Sequence, residues 1–370
     1  MIYLDYQATT PLAPEAREAM LPWLDRFGNP HSPHRLGREA AAAIEIARDQ
    51  LVVALGDQER EGRLIFTSGA TEAANWALQG AVLGGQRRKI VTIATEHACV
   101  LDTAAWLARQ NCEIMVLQVD TNGIVDLEAA AAAIDDRTAL VAAMLVNNEI
   151  GVIQPVAILA RMARAAGALF FCDAVQGFGR VDLPLAACDM VTLSAHKIHG
   201  PKGIGALWFR AGLDWRPLIH GGGQQHGMRS GTLSPMLCAG FGAAAQLADR
   251  SRDEDNKHVN NLADTAENLL KDWTINGSRN ERYRGNLNIR RDGIDAARLI
   301  SELRDVAFSA GSACASGSGR PSHVLRAIGL SEAEARSSIR LGFGRYTQIG
   351  DIEAAVAAIV VAAQGQLEWA

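Results

Sequence analysis

The residues of this 370-residue chain that could carry chemistry gather in six short stretches. Ser194-Ala195-His196-Lys197 closes a β-rich run. A lysine in a closed site loses its proton through desolvation and cationic neighbours, and then forms a Schiff base. The hydroxyl and imidazole beside it can bind a phosphate; the plain alternative is a surface lysine at a strand end. Asp173 ends the apolar run 168–172, with Gln176 three residues on. A carboxylate at the carboxyl edge of a parallel strand stands where such sheets place ligands, and a pyridinium nitrogen is a good partner for it. A helix N-cap is the competing role. Residues 67–72 read T-S-G-A-T-E. Gly69 permits a tight turn, and Thr71 adds a hydroxyl to the free N–H groups of a helix start, which makes a phosphate cradle or a simple cap. Glu96-His97 and Asn147-Asn148-Glu149 again follow β-rich runs. The sixth stretch, 309–319, reads S-A-G-S-A-C-A-S-G-S-G. Its small residues are expected to leave Cys314 mobile and exposed, the setting of a nucleophilic thiol or of an incidental loop cysteine, but not of a buried structural one.

These stretches need elements that bring them to one place. From residue 64 to 209, β-rich and helix-like runs alternate. Strands are expected at 64–67, 89–94, 113–119, 139–146, 168–174, 189–195 and 203–209, and helices near 71–83, 100–110, 127–134 and 156–166. Continuous apolar strands separated by helices predict an α/β fold with a mostly parallel sheet covered on both faces. Its carboxyl edge gathers a lysine, an acid, an imidazole and a phosphate cradle into one crevice, a set that suits pyridoxal phosphate (PLP). After Gly221-Gly222-Gly223 the pattern changes. A long helix is expected over 235–250, then a charge-dense linker or exposed helix at 251–257, then a smaller α+β unit. That unit has strand-like 286–291, 306–311 and 338–344, helices at 295–303 and 323–328, and a last helix from about 349.

Composition narrows the classes. The chain is 48% hydrophobic and 21% charged, which is ordinary for a globular protein. At roughly 150 residues per domain, its length favours two domains. The net charge of −5, with no basic stretch, argues against direct nucleic-acid binding. Cys99, Cys112, Cys172, Cys188, Cys238 and Cys314 are scattered, without a C-x-x-C pair. That argues against zinc ribbons, thioredoxin motifs and disulfide scaffolds. No metal site is expected. The five cysteines other than Cys314 lie in or beside apolar elements and read as structural. The start MIYLDYQATT lacks the basic residues and apolar run of a signal peptide. No apolar run of about 18 residues marks a membrane span, so a cytoplasmic location is expected.

Nine motifs in order carry a resemblance: Y-L-D-Y-x-A-T-T-P (3–11), T-S-G-A-T-E (67–72), T-E-H (95–97), V-N-N-E-I-G (146–151), D-A-x-Q (173–176), H-K-I-x-G-P-K-G (196–203), G-M-R-S-G-T (227–232), G-S-A-C (311–314) and S-S-I-R (337–340). The chain resembles the cysteine desulfurases of the nitrogen-fixation and iron–sulfur type, in the class V aminotransferase-like family of fold-type-I PLP enzymes. The match runs from near the N-terminus to about Tyr346. It implies a PLP-dependent transferase that removes sulfur from L-cysteine, giving L-alanine and a persulfide for an acceptor such as an iron–sulfur scaffold or tRNA thiolation enzyme. It implies a homodimer with active sites at the subunit interface.

The roles implied are specific. Lys197 would hold PLP covalently, and with His97 would serve as acid–base group. Asp173 would pair with the pyridine nitrogen, and His97 would stack on the ring. Gln176 and Asn148 would bond the ring hydroxyl. Ala70, Thr71, Ser194 and His196 would hold the phosphate, with Thr232 contributed across the dimer. Arg340, assisted by Asn148, would clamp the substrate carboxylate, and Cys314 would attack the substrate sulfur. The Cys314 thiol favours a desulfurase over an aminotransferase, which needs none. The implied division is a large PLP-binding domain over 12–250, and a small domain of 1–11 with 251–370 that carries the Cys314 loop. The sequence departs from the usual pattern at Gln7, Ala195, Gln225-His226 and Arg284-Gly285. It also ends at Ala370, without the extension that longer members use for scaffold docking, so the resemblance carries no particular acceptor.

Overall fold

The computed structural model describes residues 1–59, 62–83, 85–310 and 322–368; Cys314 lies outside them. A seven-stranded sheet organises the larger part of the molecule. Across it the strands run Gly62–Thr67, Gly205–Arg210, Met190–Ser194, Leu169–Asp173, Thr138–Met144, Lys89–Ile93 and Glu113–Leu117. Six point the same way, and Gly205–Arg210 is antiparallel to both its neighbours.

The central strands are apolar on both faces because both faces are covered. Alternation sends successive residues to opposite sides. Val141, Phe170, Cys172, Val191 and Leu193 pack into one core, and Leu140, Ala142, Phe171 and Met190 into the other. The helix Ala70–Leu83 lies against Thr138–Met144, Met190–Ser194 and Gly205–Arg210, and Val156–Ala165 packs on Thr138–Met144 and Leu169–Asp173. Gly205 allows the closest approach. A Cβ there would sit 2.8 Å from the Cα of Gly69 and 2.7 Å from the carbonyl oxygen of Leu193, so only glycine lets the loop before Ala70–Leu83 press onto the sheet.

A second, four-stranded antiparallel sheet has the order Ser309–Ala310, Ser338–Gly342, Asn286–Arg290, Thr274–Ile275. The start of the chain joins this unit. Ile2–Tyr3 pairs in parallel with Val306–Ala307, and Asp5 bridges to Gly342. The charged run after residue 250 is helical: Arg252–Leu269 opens with Asp253, Glu254 and Asp255, which suit the positive end of the helix dipole. The last helix, Ile349–Glu368, is long and apolar enough by length and composition to cross a membrane. Here it buries Ile352, Ala355, Val356, Ile359 and Ala363 and packs against Arg252–Leu269 and Ala296–Glu302 as a core helix.

Candidate active site

At the carboxyl edge of the large sheet a cavity of about 580 Å³ opens. Strand ends on that edge supply Ser68, Gly69, Ala70, Thr71, His97, Asn148, Asp173, Gln176, Ser194, His196 and Lys197 to its wall. The antiparallel strand begins at the same edge and adds Lys202, Gly203 and Ile204; Gln7, Ala8, Thr9 and Arg340 close it from the small sheet's side.

Lys197 ends the single turn Ala195–Lys197 that directly follows Met190–Ser194. Its Nζ donates to the main-chain oxygens of Gln7 (2.6 Å) and Ala8 (2.8 Å). On the adjacent strand Asp173 is the last residue, 5% exposed, and its Oδ1 accepts from the Val175 N–H at 2.9 Å. Burial pushes this carboxyl above the usual range; the Val175 bond and the positive charges of His97 and Lys197 oppose that. A cationic ring nitrogen would offset the same desolvation.

His97 caps the helix Ala98–Ala108 by accepting the Cys99 N–H on Nδ1 at 3.1 Å. That bond assigns the ring proton of the neutral form to Nε2. Burial lowers its pKa, with Lys197 and His323 acting in the same direction against Asp173. The neighbouring Glu96 is fully buried, and its Oε1 accepts from the Met144 N–H at 2.5 Å. Burial first, and the charge of Asp173 second, hold Glu96 well above the carboxylate range. Glu96 therefore resists ionisation more strongly than an exposed glutamate does.

One end of the cavity is lined by Ser68, Gly69, Ala70 and Thr71 at the start of Ala70–Leu83, where the first N–H groups lack helical partners, an arrangement that would suit a phosphate. Ser194 and His196 face it. The His196 Nδ1 lies 3.2 Å from Thr9 Oγ1, and burial lowers its pKa to about 4, so the ring is neutral. At the other end Arg340, 1% exposed, donates from Nη2 to Asp5 Oδ1 at 2.7 Å and from Nη1 to the Asn148 carbonyl at 3.0 Å. Its Nε is buried without a hydrogen-bond partner, a donor suited to a carboxylate entering the cavity. Gln176 donates to the Gln7 oxygen at 2.9 Å and accepts from Arg180 at 2.9 Å. A lysine amine, a buried carboxyl, an imidazole of lowered pKa and a helix-start anion cradle around one cavity form a donor set that fits PLP.

Thr232, expected to serve the site of the partner subunit, is exposed and does not line this chain's own cavity; Cys314 lies outside the described residues. Cys99, expected to be a plain core cysteine, is partly buried and lines the cavity; burial pushes its thiol far up, which keeps it protonated. The sequence reading gave no role to Asp5, which orients Arg340, or to Lys202. Both stand inside quoted motifs, and Lys202 could have been found from the strand that starts just beyond it, at Gly205.

The fold and the site define a fold-type-I PLP-dependent enzyme. Comparison with known proteins agrees. The family model for aminotransferase class-V matches residues 2–355. A cysteine desulfurase, IscS, of Rickettsia bellii (strain OSU 85-389) is 45% identical over 367 residues, covering 96% of this chain and 89% of that protein. Among solved structures, a NifS-like protein superposes with a TM-score of 0.91 at 31% identity, over 98% of this chain and 99% of the other. One described as SspA in complex with cysteine gives 0.83 at 34% identity, over 94% and 100%. The chain belongs to the class-V aminotransferase family, on its cysteine desulfurase branch. Enzymes of this branch take sulfur from cysteine and pass it to acceptor proteins.

Proposed function

We propose that this chain is a cytoplasmic, homodimeric enzyme that converts L-cysteine to L-alanine and carries the sulfur on Cys314 as a persulfide to an acceptor protein serving iron–sulfur cluster assembly or tRNA thiolation. The observation that carries the reading is the convergence of Lys197, Asp173, His97 and Arg340 on one cavity. We assign the cofactor-binding roles to Lys197, Asp173, His97, Gln176, Asn148, Ala70, Thr71, Ser194 and His196, with Thr232 serving the partner subunit. Residues 12–250 form the large domain, and residues 1–11 with 251–370 the small one. The pairing of Ile2–Tyr3 with Val306–Ala307 supports that division.

PLP, when bound, supplies an electron sink for negative charge on the substrate carbon that bears the amine. The chain's own residues do the rest. Lys197 holds the cofactor through its amine and then moves the proton at that carbon. Asp173 keeps a negative charge against the ring nitrogen. His97, neutral at working pH, offers a second acid–base group. Arg340 fixes the substrate carboxylate with a guanidinium fork already oriented by Asp5 and Asn148. The Cys314 thiolate attacks the substrate sulfur. A sulfur–sulfur bond forms, the carbon–sulfur bond breaks with its electron pair left on carbon, and that carbon takes a proton to give alanine.

The test is mass spectrometry of the PLP-loaded protein after incubation with sulfur-labelled cysteine. One labelled sulfur is expected on the peptide containing Cys314. Label on Cys99 instead, or sulfide release by Cys314→Ser at the native rate, would overturn the assignment.

A further inference from the structure

Behind the wall of the phosphate cradle stands an ion pair that the reaction itself does not use. Glu72 is the third residue of Ala70–Leu83. Its Oε2 accepts from the Ser68 N–H at 2.8 Å and from Arg229 Nη2 at 3.1 Å, and its Oε1 accepts from Arg229 Nε at 2.9 Å. The fork is bidentate, and the two side chains are 16% and 11% exposed, Arg229 first. Burial pushes the Glu72 carboxyl up, but the bonds from Arg229 and Ser68 outweigh it and hold the group below its ordinary value. Glu72 is therefore an anion, one hydrogen bond from a residue that lines the cavity. Alone it would repel a phosphate.

Arg229 arrives on a fastened segment. The Ser230 N–H donates to the Ile219 oxygen at 3.1 Å, and the Gly231 N–H to Gln224 Oε1 at 2.8 Å. Before it, the Met228 N–H donates to the Gln225 oxygen at 3.1 Å, so the guanidinium reaches Glu72 from 157 residues away on a loop tied down at both sides of it.

We propose that Arg229 is a positioning residue for the cofactor phosphate: it cancels the charge of Glu72 and holds that carboxylate against Ser68, so that the N–H groups of Ala70 and Thr71 meet the phosphate with no net negative charge behind them. This rests on the reading that these residues hold the phosphate of PLP.

The test compares equilibrium binding of PLP and of pyridoxal, which lacks the phosphate, to cofactor-stripped protein. Wild type, Arg229→Gln, Glu72→Gln and the double variant are measured. Arg229→Gln is expected to weaken PLP about tenfold and leave pyridoxal nearly unchanged. The double variant recovers most of the PLP affinity, because no uncompensated charge remains. Glu72→Gln alone binds PLP as tightly as wild type or more tightly, and this arm stands even where Arg229→Gln fails to fold. Equal weakening of PLP and pyridoxal in Arg229→Gln, no recovery in the double variant, or a tenfold loss in Glu72→Gln would each overturn the proposal. A wild type that binds pyridoxal as tightly as PLP would sink the cradle reading itself. A wild type that prefers PLP, with Arg229→Gln preferring it equally, sinks only the role of Arg229.

Discussion

The Nζ of Lys197 donates to the main-chain oxygen of Gln7 at 2.6 Å, and the same oxygen accepts from Gln176 Nε2 at 2.9 Å. The lysine that ends the large sheet's edge is thus aimed by a segment anchored in the small sheet. Gln7 is itself held by its Nε2, which donates to the Gly285 oxygen at 2.9 Å. When the amine turns toward the cavity it gives up both main-chain oxygens, while Gln176 can stay on Gln7.

Replacing the amine tests this arrangement at its centre. Lys197→Ala is expected to fold, because the turn Ala195–Lys197 is held by main-chain bonds such as Ile198 N–H to the Ala195 oxygen at 3.0 Å. It should lose the visible absorption of the lysine-bound cofactor and all turnover of cysteine. Absorbance of the purified protein decides: an unchanged visible band means that Lys197 is not the attachment point.

Arg340 should separate substrate binding from cofactor binding. Lys in its place keeps a charge but loses the fork and the orienting bonds to Asp5 and Asn148. Arg340→Lys is expected to raise KM for cysteine about 10- to 100-fold, the loss of one or two charged hydrogen bonds, with the cofactor spectrum unchanged. Steady-state kinetics beside a spectrum of the same sample check it, and an unchanged KM would remove Arg340 from the carboxylate site.

The crevice was legible in the sequence because Asp173 ends a strand and His97 and Lys197 stand three or four positions past one, and parallel strands present their carboxyl ends on one edge. Asp173, Lys197 and His97 could be found that way. What holds them could not. Asp5 reaches Arg340 across 335 positions, and Gln225 reaches Phe66 across 159. Such pairs leave no periodic trace; they exist only once both sheets have formed. The N-terminal helices Pro14–Met20 and Arg35–Ala54 carry none of the residues that line the crevice. Pro14–Met20 buries only Ala16, a weak apolar signal, whereas Arg35–Ala54 buries Gly37, Ala40, Ile44, Ala47 and Leu51 at helical spacing.

The unusual Gln225 has a structural task. Its side-chain amide donates to the Phe66 oxygen at 2.8 Å and its Oε1 accepts the Phe66 N–H at 2.8 Å, while Arg48 donates to the Leu64 oxygen. Gly62–Thr67 is an edge strand, and these two side chains cover its outer polar groups. The pairing also holds Gln225 and His226 in left-handed backbone, at φ 51° and 57°. Gln225→Ala should cost about 1–3 kcal/mol, the desolvation of buried groups left unpaired. Gln225→Glu, which keeps the acceptor for the Phe66 N–H but sets a buried carboxylate against the Phe66 oxygen, should cost at least as much. Urea unfolding of the PLP-loaded variants checks the order, and a neutral Gln225→Ala would show that water replaces the amide.

Glu149 makes a prediction about pH. It is 3% exposed and accepts a hydrogen bond from Ser322, the residue that caps the helix His323–Ala327. Burial raises its pKa to about 7, against the Ser322 bond and the charge of Arg340. A carboxyl whose folded pKa lies above its unfolded value binds more protons when folded. Its contribution to stability is complete below the ordinary glutamate range and is lost as pH rises through about 7. At pH 8 the buried carboxylate therefore costs about 3 kcal/mol relative to its protonated form. Glu149→Gln keeps an oxygen for Ser322 and has no proton to lose. Its unfolding free energy should exceed that of wild type by less than about 1 kcal/mol at pH 5, by more as pH rises to about 7, and by about 3 kcal/mol at pH 8, where the difference levels off. Parallel urea titrations at pH 5, 6.5 and 8 measure the difference. A constant difference across that range would mean that Glu149 is charged throughout, and that Arg340 and Ser322 outweigh its burial.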